Sequence, residues 1–216
     1  MRFRHLTSAV AQILLNASSG PILRGNDFLV VKAGNGKPSL FDISENTFSL
    51  FGDVPSNVFA ATSDKIAVAY NANAVKVFDH SGNELANISG PNGVNFGSSI
   101  QMSDTKLFVS APGDDTSGTD SGAVYVYDHD GSNETKITFP GSANDYSGNA
   151  YDRIAVGSGK IAIGSEYYPS FSFKGKVDLM DEDGSNVITI YPALPNQSKF
   201  GSAVKFHNDK LYISAA

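Results

Sequence analysis

Apolar residues in this chain come in short runs, punctuated by Gly, Asn, Asp and Ser. One stretch shows the pattern most fully. Phe96-Gly97-Ser98-Ser99-Ile100 is followed by Lys106-Leu107-Phe108-Val109-Ser110-Ala111 and then by an acidic, glycine-rich loop. Gly122-Ala123-Val124-Tyr125-Val126-Tyr127-Asp128, a turn at His129-Asp130-Gly131, and Thr135-Lys136-Ile137-Thr138-Phe139-Pro140 complete it. Four such runs between turn residues predict a small antiparallel sheet. In Leu107-Phe108-Val109 the apolar residues are consecutive rather than alternating, which predicts a strand buried on both faces.

The same grammar recurs on either side. Phe28–Lys32, Ser39–Asp42 and Thr47–Phe51 form a first unit with no recognisable first strand. Val58–Ala61, Lys65–Tyr70, Ala74–Asp79 and Glu84–Ile88 form a second. A fourth holds Arg153–Val156, Lys160–Gly164, Lys176–Asp181 and Val187–Pro192, and a fifth begins with Phe200–Val204 and Lys210–Ala215. A lysine opens the second strand at Lys65, Lys106, Lys160 and Lys210, at intervals of 41, 54 and 50 residues. An aspartate closes the third strand at Asp42, Asp79, Asp128 and Asp181, at intervals of 37, 49 and 53 residues. Two anchors with a common spacing argue for radial repetition of a four-stranded sheet, which buries both faces of each sheet against its neighbours.

The absence of tryptophan excludes the Trp-Asp signature of one large propeller class. Phe96-Gly97-Ser98-Ser99, Val109-Ser110-Ala111-Pro112-Gly113 and Gly122-Ala123-Val124-Tyr125-Val126-Tyr127 instead resemble the FG-GAP repeat, the blade of integrin α-subunit propellers. Phe200-Gly201-Ser202-Ala203-Val204 with Ile213-Ser214-Ala215 repeats the first two parts, while Tyr151-Asp152-Arg153 stands at the Phe-Gly position of the fourth unit. The resemblance implies an all-β fold, a β-propeller-like array of four-stranded antiparallel blades over residues 26–216, with about four blades and the start of a fifth. The last residues, Ala215-Ala216, stand where the third unit continues with Pro112-Gly113. Two expectations follow: a fragment of a longer protein, or a compact propeller whose C-terminal strands complete the first blade. The calcium loop frequent in integrin-type blades is not carried over. The connections at Met102–Lys106 and His207–Lys210 are too short and too poor in carboxylates to surround a calcium ion.

Residues 1–25 differ from the rest. They hold Arg2, Arg4 and Arg24 and no acid, so +3 of the total charge of −6 lies here and −9 in the remainder. Leu6, Val10, Ile13 and Leu14 make one stripe of a 3.6 period, predicting a short helix over 6–16 ended by Asn16, Ser18 and Gly20-Pro21. A helix so short needs a surface to dock on. Either it packs on its own domain, or Arg2, Phe3, Arg4, Leu6, Val10, Ile13 and Leu14 form an attachment peptide for other proteins or identical copies. A secretory signal is a weaker fit, because Gln12 interrupts the apolar run Ala9–Leu15. No run is long enough for a membrane-spanning helix.

The acidic balance argues against nucleic-acid binding, and zero cysteines exclude disulfides and thiolate metal sites. Asp114, Asp115 and Asp120 form the richest carboxylate cluster, which reads either as a calcium loop or as a solvated loop tip. Asp128-His129-Asp130-Gly131 and Asp181-Glu182-Asp183-Gly184 read as hairpin turns rather than metal loops. Gly157-Ser158-Gly159-Lys160 lacks the earlier glycine and the helix of a phosphate loop. Tyr167, Tyr168, Phe171 and Phe173 sit on one loop, where they either bind a glycan or protein or cap the blade. No nucleophile, base or zinc pattern points to an enzyme, and no cofactor is implied. The layout, a basic tail leading into an exposed β domain, resembles bacteriophage tail fibres and other virion appendages. The expected function is a virion structural or adhesion protein at a virion or extracellular surface. The alternative is a secreted or cell-surface bacterial adhesin with a carbohydrate-binding propeller.

Overall fold

The computed structural model describes the backbone of residues 23–24, 28–32, 38–42 and 47–50, and both backbone and side chains of residues 58–70, 73–138, 153–166, 168, 174–193 and 199–215. Residues 6–16, the expected helix, lie outside the described residues. The fold is all-β. The first sheet holds β1 (Leu23–Arg24), β2 (Phe28–Lys32), β3 (Pro38–Asp42) and β4 (Thr47–Leu50). The second holds β5 (Phe59–Ala61), β6 (Lys65–Tyr70), β7 (Ala74–Asp79) and β8 (Glu84–Ser89). The third holds β9 (Ile100–Met102), β10 (Lys106–Ala111), β11 (Ala123–Asp128) and β12 (Thr135–Thr138). The fourth holds β13 (Ile154–Gly157), β14 (Lys160–Ser165), β15 (Lys176–Asp181) and β16 (Ile188–Ile190). A fifth sheet has β17 (Val204–His207) and β18 (Lys210–Ile213).

Each sheet is an antiparallel meander in sequence order. The first strands β5, β9, β13 and β17 pack one beside the next, so the sheets radiate from a shared line in propeller fashion. In the second, third and fourth sheets the two central strands carry the core. In β10, Leu107, Phe108, Val109, Ser110 and Ala111 are all buried, whereas the outer strands β8, β12 and β16 are largely exposed.

Side-chain parity sorts the core into layers between successive blades. Leu107, Val109, Ala123, Tyr125 and Tyr127 face the second blade and meet Ala67, Ala69, Val75 and Val77. Phe108, Val124 and Val126 face the other way and meet Ile154, Ile161, Ile163 and Met180 of the fourth blade. Ala162 and Val177 in turn meet Val204, Phe206, Leu211 and Ile213 of the fifth. This two-sided burial is why the central strands are apolar at consecutive positions. Each fully buried Leu, Val, Ile or Phe adds about 1.5–3 kcal/mol.

The lysine and aspartate anchors turn out to be one feature. Lys65 lies opposite Asp79, Lys106 opposite Asp128 and Lys160 opposite Asp181, as cross-strand partners in the same register of three sheets. Lys106 Nζ reaches Asp128 Oδ1 at 2.6 Å, and Lys160 pairs with Asp181, while Lys65 pairs with the neighbouring Asp64 instead. In the first sheet Phe28 takes the lysine's place opposite Asp42.

The Asp-x-Asp-Gly segments form hairpin turns, as expected. Gly131 N donates to Asp128 O at 2.9 Å, and Gly184 N makes the same bond to Asp181 O at 2.9 Å. Asn133 and Asn186 each donate to the anchor carboxylate at 2.6 Å. These donors, with the lysines, hold the Asp128 and Asp181 carboxyls below their ordinary pKa.

Three expected boundaries are corrected. The Phe-Gly segments are turns that precede the first strand, which starts only at Ile100 and at Val204. Gly97 adopts φ +88 and donates its N–H to Ser110 O at 2.8 Å, a left-handed geometry that suits glycine and prevents a straight strand. The first unit does have a first strand, β1, pairing Leu23 with Val30 and Arg24 with Leu29. At two residues it is too short for a period-2 pattern to reveal, and it lies inside the segment that sequence assigns to attachment.

Candidate functional site

The loops joining second to third strands open at one end of the blades. At that end three successive blades each set a lysine ammonium over a tyrosine ring. Lys76 lies 5.0 Å from the Tyr70 centroid, Lys136 lies 5.3 Å from Tyr125, and Lys176 lies 4.7 Å from Tyr168. The pairs are built from different strand positions in each blade, so no sequence repeat announces them.

In the third blade this arrangement recruits the acidic loop. Asp114 Oδ2 accepts from Lys136 Nζ at 2.7 Å and from Tyr125 Oη at 2.9 Å, while its Oδ1 accepts from Thr116 N at 3.0 Å. The reading of this loop as a solvated tip therefore fails for Asp114, which is 3 % exposed. The third and fourth strands carry Tyr125 and Lys136 to it across the sheet. Burial alone would raise the Asp114 pKa; Lys136, Thr116 and Tyr125 outweigh it and bring the group down to about 2. Asp115 is exposed and holds Asp120 N at 2.7 Å. As to the calcium reading, among the described residues no three His, Asp or Glu side chains gather as metal ligands.

The fourth blade presents a more open arrangement. Lys176 and Asp178 are buried, 3.1 Å apart, with Thr189 Oγ1 donating to Asp178 Oδ1 at 2.7 Å. Lys176 underlies Tyr168, and Tyr168 meets Tyr191 at 6.0 Å between centroids with a 42° tilt. The Tyr168 hydroxyl pushes the Tyr191 phenol pKa up. Tyr191 is 57 % exposed, just after β16. Arg153 and Glu166, both buried, form an ion pair that fixes the entry to the same loop. The result is an aromatic surface on a rigid, internally neutralised base. Such a surface can stack on a sugar ring or an apolar peptide side chain.

Of the four loop aromatics expected to bind, the structure places Tyr168 in this cluster; Tyr167, Phe171 and Phe173 lie outside the described residues, as do Arg2, Phe3, Arg4, Leu6, Val10, Ile13 and Leu14. Sequence reasoning missed Tyr191, Lys176, Asp178 and Thr189. A signal was present: Lys176-Val177-Asp178 puts two charges into a third strand where the third blade has Ala123-Val124-Tyr125.

The FG-GAP repeat family model matches residues 89–127, from the end of β8 through the Phe-Gly turn, β9, β10 and most of β11. The four-stranded sheets fit the propeller-like fold that this match indicates. No curated protein matches the chain. Among solved structures, the computationally designed Ika8 protein is similar at 15 % identity and a TM-score of 0.60, over 90 % of this chain and 54 % of that one. The chain thus spans about half of Ika8's length. The computationally designed Ika4 protein is similar at 14 % identity and a TM-score of 0.52, over 76 % of this chain and 91 % of that one. At such identities these likenesses concern the fold alone.

Proposed function

We propose that this chain is a non-enzymatic binding and adhesion module whose ligand seats on Tyr168 and Tyr191 at the open end of the fourth blade. The observation that carries the reading is the exposed Tyr191 ring braced through Tyr168 on the buried Lys176–Asp178 pair. Such rigidity keeps the cost of ordering the contact surface low. A glycan, or an apolar protein segment at a cell surface, is the matching partner class. The test is binding to glycan arrays and to cells by the purified protein and by Tyr191→Ala. Loss of binding with an unchanged melting temperature is the expected result; undiminished binding refutes the site.

The setting we propose is a virion appendage of the tail-fibre kind, attached through residues 1–25 and displaying the blades outward. Its support is the charge division of the chain, +3 in residues 1–25 against −9 in the remainder. Particles assembled with a protein lacking residues 1–22, so that β1 is kept, are expected to lack it. Normal incorporation of that protein refutes the attachment role. A mature form that begins after about 18 residues, as for a cleaved signal, points instead to a secreted adhesin.

A further inference from the structure

The two stretches that frame Tyr168 and Tyr191 carry a charge opposite to that of the chain. Residues 167–177 and 184–208 hold Lys174, Lys176, Lys199 and Lys205 and no acidic residue, in a chain of net charge −6. Lys176 is buried against Asp178, and Lys205 lies on β17. Lys174 and Lys199 are exposed. The backbone brings both to Tyr168: Gly175 N donates to Tyr168 O at 2.8 Å, and Phe200 N donates to Lys174 O at 3.1 Å. The third blade has other residues at these two places. Its Ser121-Gly122-Ala123 corresponds to Lys174-Gly175-Lys176, because Ala123 and Lys176 stand opposite the last residues of β10 and β14, and Gly122 and Gly175 adopt φ +81 and +79. Its Asn95-Phe96-Gly97 corresponds to Lys199-Phe200-Gly201, with φ +55 at Asn95 and +56 at Lys199. The turn bond is also the same, from Ser98 N to Asn95 O and from Ser202 N to Lys199 O. Asn suits this left-handed backbone and Lys does not. A lysine seated there at a backbone cost, beside the aromatic pair, points to a task for its ammonium group.

We infer that the fourth blade takes an acidic glycan: a sugar ring bearing a carboxylate, stacked on Tyr191 and Tyr168, with its charge met by Lys174 and Lys199. The inference rests on the reading of Tyr168 and Tyr191 as the seat of the ligand and adds the ligand's charge. Beneath the rings Lys176 and Asp178 neutralise each other, as do Arg153 and Glu166. Lys174 and Lys199 are then the charges that these stretches present to a ligand at the rings. A lysine ammonium on its flexible stem meets a carboxylate as a point charge. A neutral sugar would use the tyrosines alone, and an acidic peptide without a flat apolar face would use the lysines alone. A carboxylate-bearing ring uses both. Because such charges act on selectivity and association rate more than on raw affinity, their effect is read as a preference between matched glycans.

The probes are a sialic-acid-ended oligosaccharide, a uronate-ended one and their neutral counterparts, each titrated against the full 216-residue protein at low and at high sodium chloride. At least one acidic probe should bind at least about threefold more tightly than its neutral counterpart, as two exposed ion pairs would give. The probe that does so identifies the source of the carboxylate. The preference should fade in high salt. It should vanish in the Lys174→Ser, Lys199→Asn double variant, which installs the third blade's own residues and so keeps both turns. The salt titration uses the unaltered protein, so it tests the inference even if the variant folds poorly. Equal binding of acidic and neutral probes overturns the inference, as does a preference that survives high salt or the double variant. If Tyr191→Ala still abolishes binding in those cases, the site stands and only its charge preference falls. Glycan binding that ignores Tyr191→Ala refutes the site, and the inference with it. Capture of an acidic peptide and of no glycan also overturns it.

Discussion

Asp114 makes acid stability of the third blade a direct measure of one buried contact. Its side chain is 5 % exposed and is bonded to Lys136, Tyr125 and Thr116. The folded pKa of about 2 lies below the ordinary 3.8. A carboxyl with a depressed folded pKa contributes stability that is full above its unfolded value and is lost as pH falls through the folded one. A gap of nearly two pKa units corresponds to about 2 kcal/mol, present at pH 5 and above and lost progressively between about pH 4 and pH 2. The perturbation is Asp114→Asn, which keeps the shape and removes the charge. Urea unfolding at pH 7 should show the variant less stable by about 2 kcal/mol or more, because Lys136 loses its buried counter-ion. As pH falls to 2.5 the gap should shrink, since the wild type protonates the same carboxyl. The turn aspartates Asp79, Asp128, Asp130, Asp181 and Asp183 also have depressed pKa values. They are common to both proteins and cancel in the difference. If the two stability curves stay parallel from pH 6 to pH 2.5, the Asp114–Lys136 contact does not carry the energy assigned to it.

Phe96→Ala removes a ring that is 2 % exposed and stands edge-on to Tyr125 at 5.6 Å and Tyr127 at 6.4 Å; calorimetry should register a loss of about 3–5 kcal/mol. Gly164→Ala would put a Cβ 1.9 Å from the Gly201 carbonyl oxygen. The backbone at the junction of fourth and fifth blades must then move, and chemical denaturation should show a cost of about 2 kcal/mol or more. Lys106→Met cuts an ion pair whose partners are 36 % and 34 % exposed. Its effect on the urea midpoint should stay within about 1 kcal/mol and diminish in high salt. Tyr191→Ala, at 57 % exposure, should leave the melting temperature nearly unchanged while reducing ligand capture.

The architecture was legible in the sequence because its physical cause is local. A strand covered on both faces must be apolar at consecutive positions, as Leu107-Phe108-Val109 and Ile161-Ala162-Ile163 are, and a tight hairpin calls for Asp-x-Asp-Gly chemistry at Asp128–Gly131 and Asp181–Gly184. The strands of the second, third and fourth blades and the lysine and aspartate anchors could be read this way, whereas the two-residue β1 could not. That the anchors face each other is a matter of register, which sequence spacing does not fix while the loops between them vary. The candidate site was less legible for the same reason. Tyr168, Lys176, Thr189 and Tyr191 come from a loop, a third strand and the end of a fourth strand, and only strand pairing brings them together. The polarity of Asp114 is plain in the sequence. Its burial is not, because the residues that compensate its charge stand 11 and 22 positions away on other strands. The sequence by itself determined which residues seek burial and where the chain turns. Only the tertiary structure decided which charges are neutralised inside and which tyrosine faces solvent, because strand pairing rather than sequence spacing brings those side chains together.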